Sequence, residues 1–199
     1  GFAYIDVTTG NFQATSWVAS KMEEFFSKEL NRASPSELIL PLSLKKNSTI
    51  QNVLLSNPKI AVSYYPDWDF SLDFSYKKLT KQFGVNNLKA FLLDEKSCEV
   101  GPAGFLLDYL EKTTNANLLH VKSIKTYTDS DFLILDNASR KNLEVTENLR
   151  DGTIQFSLFE CVNYTKTAMG NRLLKNWLMF PLTKINQIEE RQSRIDTFF

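Results

Sequence analysis

Hydrophobic and polar positions change period several times along the chain, and each change predicts an element. Two runs rich in β-branched and aromatic residues, 2–7 and 12–17, flank Thr8, Thr9, Gly10 and Asn11, and so predict a hairpin. Met22, Phe25, Phe26 and Leu30 then recur at helical spacing. They make one apolar face, with Lys21, Glu23, Glu24 and Lys28 elsewhere. Residues 38–40 read as a short buried strand between Pro35 and Pro41. A second helix is expected over 42–55, with a polar Lys-Lys-Asn-Ser centre, and a further strand over 60–65. Strand, helix, strand, helix, strand implies parallel pairing through crossover helices. Residues 67–73 read as an aromatic, acidic loop. A short helix follows over 74–83, stopped by Gly84. Pro102 suits the first turn of the next helix, whose stripe is Ala103, Leu106, Leu107 and Leu110. Residues 118–124 read as extended or linker-like.

The pattern turns helical after about Lys125. Phe132 opens a short apolar run to Leu135. Asp136 or Asn137 is expected to cap a helix ending near Gly152. Residues 156–162 predict a short helical piece. Residues 167–180 predict a strong helix with Met169, Leu173 and Trp177 in one stripe, ended by Pro181. That stripe reads as a packing surface, and Gly170 as a site of close approach. Arg172 and Lys175 read as structural. Thr183 is expected to cap a last helix that presents Ile185, Ile188 and Ile195. The domain boundary falls at 120–130, and exposed faces at Leu174, Trp177 or Ile188 would favour non-native association. No internal repeat is visible. The strand-like opening at Gly1 and the unpunctuated helix at Phe199 suggest a piece of a longer protein.

Charge alters this picture only by removing an argument. The 199 residues carry 23 basic and 23 acidic side chains. A domain that grips nucleic acid through phosphates usually shows a basic excess, so composition does not favour strong DNA binding by this segment. Cys98 and Cys161 lie too far apart for a CxxC site and are read as free thiols. No apolar run approaches the ~20 residues of a membrane span, and no signal peptide is visible.

Candidate chemistry is sparse. A P-loop needs Gly followed by Lys, and none of the seven glycines is. GxGxxG is absent, and one histidine, His120, excludes HExxH. No GxSxG supports a hydrolase triad. Asp6, at the first strand, is a candidate metal ligand for a ribonuclease H-like nuclease, given partners among Asp67, Asp69, Asp73, Asp94 and Asp108. The alternative is that Asp6 belongs to the hairpin turn. Lys77, Lys78 and Lys81, beside Tyr76, form a basic helix face. The run Tyr64, Tyr65, Pro66, Asp67, Trp68 is equally compatible with an exposed patch and with a cover over the core.

Five segments in order carry a family resemblance. They are GFAYIDVTTGNF (1–12), ELNRASPSELILP (29–41), LTKQFGVNNLKAF (79–91), LDNASRKNLEVTENLRDG (135–152) and TAMGNRLLKNWLMFPLT (167–183). Together they make the chain similar to an internal part of MutS-type DNA mismatch-repair proteins. The resemblance implies a ribonuclease H-like α/β connector domain over 1–124, a mixed sheet with flanking helices. It further implies the first helices of the all-α core, or lever, domain over 125–199. It implies a relay between mismatch-binding and ATPase domains that takes part in docking MutL. The mismatch-reading Phe-x-Glu wedge does not occur in this sequence. The resemblance therefore implies no catalytic, cofactor or metal residues here, and ATP with Mg²⁺ only in the full-length parent. That parent would be a cytoplasmic, nucleoid-associated homodimer (a heterodimer if eukaryotic) on mismatched DNA, with no membrane contact. Tyr76, Lys77, Lys78 and Lys81 are the expected docking face. A nuclease centred on Asp6 and a stand-alone adaptor remain the alternatives.

Overall fold

The structure is a computed structural model that describes residues 1–33, 35–114, 118–128, 132–133, 135 and 137–198, without the side chains of Lys21 and Asn137. The chain divides into two compact units, Gly1–Tyr127 and Thr128–Phe199.

The first unit begins with the expected hairpin. Strands β1 (Phe2–Asp6) and β2 (Asn11–Thr15) pair antiparallel, with Phe2 opposite Thr15. Gly10 closes the turn, its N–H 2.8 Å from the Asp6 carbonyl and its φ at 70°. A side chain there would meet the His120 carbonyl at 2.9 Å, so both the left-handed backbone and the close approach require glycine. The period of two serves two cores at once. Phe2 and Tyr4 pack with Phe26, Leu30, Leu38, Leu40, Ile50 and Val53. Ala3 and Ile5 pack with a second cluster built on Phe12, Leu79, Leu88, Val100 and Leu107.

Helix α1 (Met22–Ala33) carries Glu23 and Glu24 in its first turn and Arg32 in the last, the arrangement its dipole favours. β3 (Glu37–Pro41) and β4 (Ala61–Tyr65) pair in parallel across a crossover. The strands do not form one mixed sheet among the described residues. They divide into a three-stranded sheet, β1-β2-β5, with parallel and antiparallel neighbours, and the two-stranded β3-β4. The third strand, β5 (Lys125–Thr126), lies parallel to β2. The first unit therefore continues through Tyr127, whose N–H reaches the Ala14 carbonyl at 3.2 Å.

Two expectations are corrected here, and a third is sharpened. The helix expected over 42–55 is broken: a 3-10 turn (Leu42–Lys46) precedes α2 (Ser48–Leu55). Asn47 is extended between them, and its side chain accepts a hydrogen bond from the Ile50 N–H at 3.2 Å. A capping residue has replaced helix continuation with a new start. The loop expected over 67–73 contains a 3-10 turn (Asp67–Phe70) and the start of α3 (Leu72–Phe83). Residues 118–124 are irregular yet anchored, for Leu118, Val121 and Ile124 are all buried. The Gln82 amide holds this segment by donating to the Leu118 and Val121 carbonyls at 2.8 and 3.0 Å.

α3 ends as predicted, with Gly84 left-handed at φ 64°. Helix α4 (Val100–Thr114) lies against it, and the contact is unusually close. A Cβ on Gly104 would stand 2.3 Å from Ser75 Cα. Ser75 is fully buried, and its hydroxyl donates to the Gly101 carbonyl at 3.1 Å. Two small residues thus let the helix backbones meet.

The second unit contains α5 (Asn137–Asn142), α6 (Leu158–Val162), α7 (Ala168–Met179) and α8 (Ile185–Asp196). The helix expected to reach Gly152 stops at Asn142, and Glu144 is left-handed at φ 48°. Asn148 organises the following turn. Its side-chain oxygen accepts from the Arg150 and Asp151 N–H groups at 3.0 and 2.9 Å. A side chain that offers the backbone its own partners competes with helix formation. Asp136, a proposed cap, lies outside the described residues. α7 is capped by Thr167, which accepts from the Gly170 N–H at 3.0 Å. Gly170 crowds that cap and Thr165, not a neighbouring helix. The cap position of α8 is Lys184, not Thr183. Met169 and Leu173 are about half exposed, so the α7 stripe is only partly packed, and Trp177 lies beneath the Arg191 guanidinium at 4.1 Å.

Candidate partner-binding face

The α3 face named from sequence is not a uniform basic surface. Lys77 and Lys81 are exposed. Lys78 is drawn against α4, donating to Asp108 Oδ1 at 3.1 Å and Glu111 Oε2 at 2.6 Å, while Lys112 reaches Asp108 Oδ2 at 2.6 Å. Burial opposes the charge on Asp108, but the hydrogen bonds from Lys112 and Lys78 overcome it and hold that carboxyl below its usual range. Burial likewise opposes the charge on Lys78, and Glu111 and Asp108 more than offset it. Tyr76 packs its ring against the core and accepts the Leu88 N–H on its hydroxyl at 3.3 Å. Tyr76 and Lys78 therefore brace the helix, and Lys77 and Lys81 remain outward beside the half-exposed Phe74.

Asp6 lies in the hairpin. Its Oδ1 accepts the Thr8 N–H at 3.0 Å and the Thr8 hydroxyl at 2.6 Å. The other carboxylates named with it are dispersed: Asp67 accepts from Ser43, and Asp108 serves the α3–α4 ion pairs. Among the described residues no group of three His, Cys, Asp or Glu side chains could hold a metal ion. His120 Nε2 lies 2.7 Å from the Val7 carbonyl, a structural contact over the same turn. Cys98 and Cys161 are free and exposed. No helix among the described residues is long and apolar enough to cross a membrane.

One polar cluster went unread in the sequence. Glu29 is 1% exposed and accepts a short hydrogen bond from the Tyr127 hydroxyl. The Arg32 guanidinium stands 3.6 Å from the Tyr127 ring centre and donates to Gln13 Oε1 at 3.3 Å. The available signal was Glu29 itself, three residues after Phe26 and one before Leu30, on the side of α1 that faces the core.

The MutS domain II family model matches residues 1–122, and the MutS domain III model matches residues 138–199. The DNA mismatch repair protein MutS of Treponema denticola is 46% identical over 200 residues, spanning 100% of this chain and 22% of that protein. MutS of Treponema pallidum is 38% identical over 198 residues, covering 99% of the chain and 22% of its own length. MutS of Symbiobacterium thermophilum is 36% identical over 195 residues, covering 98% and 22%. The chain belongs to the MutS family of DNA mismatch-repair proteins. It spans about 22% of the length of these curated relatives.

Proposed function

We propose that this chain is the connector and lever segment of a MutS protein, with 1–124 as the connector and 125–199 as the start of the lever. In this role it relays between the mismatch-binding and ATP-hydrolysing parts of the full-length parent. The observation that carries the reading is the ordered match of two family models to a chain that folds as two compact units. Small mixed sheets with flanking helices support a ribonuclease H-like connector. ATP, Mg²⁺, mismatched DNA and a dimeric assembly in the cytoplasm, at the nucleoid, belong to the full-length parent. The Thr8 hydrogen bonds to Asp6 lend no support to a nuclease centred there.

The α3 face docks a MutL-type partner, with Lys77 and Lys81 as contacts and Tyr76 and Lys78 as their support. The rigid Ser75–Gly104 contact supports this, because a braced helix presents its outward side chains at little entropic cost. The test is MutL recruitment by the full-length protein carrying Lys77→Glu and Lys81→Glu. Recruitment should fall at least fivefold while mismatch binding is retained; unchanged recruitment removes α3 from the interface.

A further inference from the structure

Where the chain turns from β4 into α3, residues 67–74 sort their apolar side chains to opposite sides. Phe70 turns inward, its ring centre 4.4 Å from that of Phe105. Tyr65, just before the corner, also packs on Phe105, at 5.2 Å. Trp68 turns outward and is 77% exposed, with Leu72 and Phe74 at 39% and 48% nearby in the chain. Singly exposed leucines are ordinary, but an exposed tryptophan within a run of exposed apolar residues is a mark of interaction surfaces.

The corner is also fixed and one-signed. The Asp67 carboxylate takes the Ser43 N–H at 3.3 Å and its hydroxyl at 2.8 Å. The Asp69 N–H reaches the Pro66 carbonyl at 3.1 Å, and the Ser71 N–H reaches the Trp68 carbonyl at 3.2 Å. Within 67–74 there are three carboxylates, Asp67, Asp69 and Asp73, and no cation. Among the described residues neither Asp69 nor Asp73 is engaged in an ion pair.

We propose that this corner docks a basic, apolar-anchored peptide segment of another protein. An indole flanked by Asp67, which Ser43 holds in place, and by Asp69 suits an arginine, which stacks on the ring and is paired at its edge. Leu72 and Phe74 offer contact to an apolar neighbour in the same segment, and an acidic segment is repelled. Its carboxylates are opposite in charge to Lys77 and Lys81, which follow Phe74 on the same helix, so the two readings adjoin at Phe74 but are tested by different variants and different ligands.

The test titrates the full-length protein against a fluorescein-labelled Arg-Leu-Arg-Arg-Leu-Arg peptide, followed by anisotropy. Trp68→Ala, and separately Asp69→Asn with Asp73→Asn, should each weaken binding at least tenfold. The Glu-Leu-Glu-Glu-Leu-Glu counterpart should not bind. Equal affinity of the variants and the parent overturns the proposal, as does binding of the acidic peptide. Hydroxyl-radical footprinting of the peptide-free protein gives a second readout. Trp68 should be oxidised readily; protection would mean that the protein's own chain or a second copy covers it, and would overturn the proposal.

Discussion

The Tyr127 hydroxyl donates to the Glu29 carboxylate, joining two residues that are 98 positions apart. Tyr127 is the last residue of the first unit, and its backbone extends the two-residue pairing of β5 with β2. The Thr15 hydroxyl adds a bond to its carbonyl at 2.9 Å. Removing a donor from a carboxylate that is 1% exposed costs about 1–3 kcal/mol. Tyr127→Phe should lower the urea midpoint accordingly, whereas Tyr164→Phe, at a residue 82% exposed, should not move it.

Alkaline pH should act on the same region. Burial, and then the charge of Glu29, push the Tyr127 phenol far above its usual value, although Arg32 acts the other way. Burial also raises Tyr4. The hydrogen bond to Glu37, and then burial, raise Tyr109 to about 12. A phenol that ionises later in the folded state than in the unfolded chain gives stability that is fully present below about pH 10. That stability is lost as pH rises through the folded values. Urea midpoints measured from pH 8 to 12 should therefore stay level and then fall above about 10. Tyr127→Phe and Tyr109→Phe should each flatten the fall; an identical slope in both variants would refute the assignment.

The Ser75–Gly104 contact predicts a steep penalty for one methyl group. A Cβ at Gly104 meets Ser75 Cα, Cβ and carbonyl oxygen, of which two are backbone atoms that cannot rotate away. Gly104→Ala should force α3 and α4 apart and cost about 1–3 kcal/mol or more, the range for overpacking. Gly84→Ala is the useful contrast. Nothing lies within 4 Å there, and only the left-handed backbone penalises it, by about 1 kcal/mol. Thermal melts of both variants would rank them, and a harmless Gly104→Ala would contradict the close approach.

Charge reversal on α3 should separate support from display. Lys78→Glu places a carboxylate against Asp108 and Glu111 and should destabilise the first unit measurably. Lys77→Glu, at an exposed position, should change stability by no more than about 0.5 kcal/mol. Equal effects on denaturant midpoints would mean that the Lys78 ion pairs contribute nothing.

The contrast between Lys78 and its neighbours shows which parts of the fold were legible. The hairpin, α1, the parallel strand pair and the Gly84 stop all follow from side chains a few residues apart, so the spacing revealed them. The break at Asn47 had a local signal too, since Asn before Ser is a capping sequence within the polar Lys-Lys-Asn-Ser centre, but the apolar residues on both sides of that centre suggested one continuous helix. Lys78 looked like any other lysine because its partners lie 30 and 33 residues away. Residues 118–124 resembled a linker because Gln82, 36 residues earlier than Leu118, holds them. Trp68 was placed in an aromatic run without a side, since facing outward depends on which ring Phe105 accepts. The family signature was readable because it is a matter of residue order. The exposed positions of Lys77 and Lys81 were readable, but the inward turn of Tyr76 and Lys78 was not, because it is made by contacts with distant segments.

The strand register places the chain's entry into the first unit beside its exit. Phe2 lies opposite Thr15, and Thr126 beside Ala14, so both ends of the unit emerge at the same end of the three-stranded sheet, on its two opposite edge strands, roughly 10 Å apart across two strand spacings. Tension drawn through the chain at those two points acts across the strands. It would peel the sheet open one hydrogen-bonded pair at a time, with the short β5 yielding first. The Tyr127–Glu29 bond ties the residue that follows β5 to α1, so it would have to break as β5 lifts away.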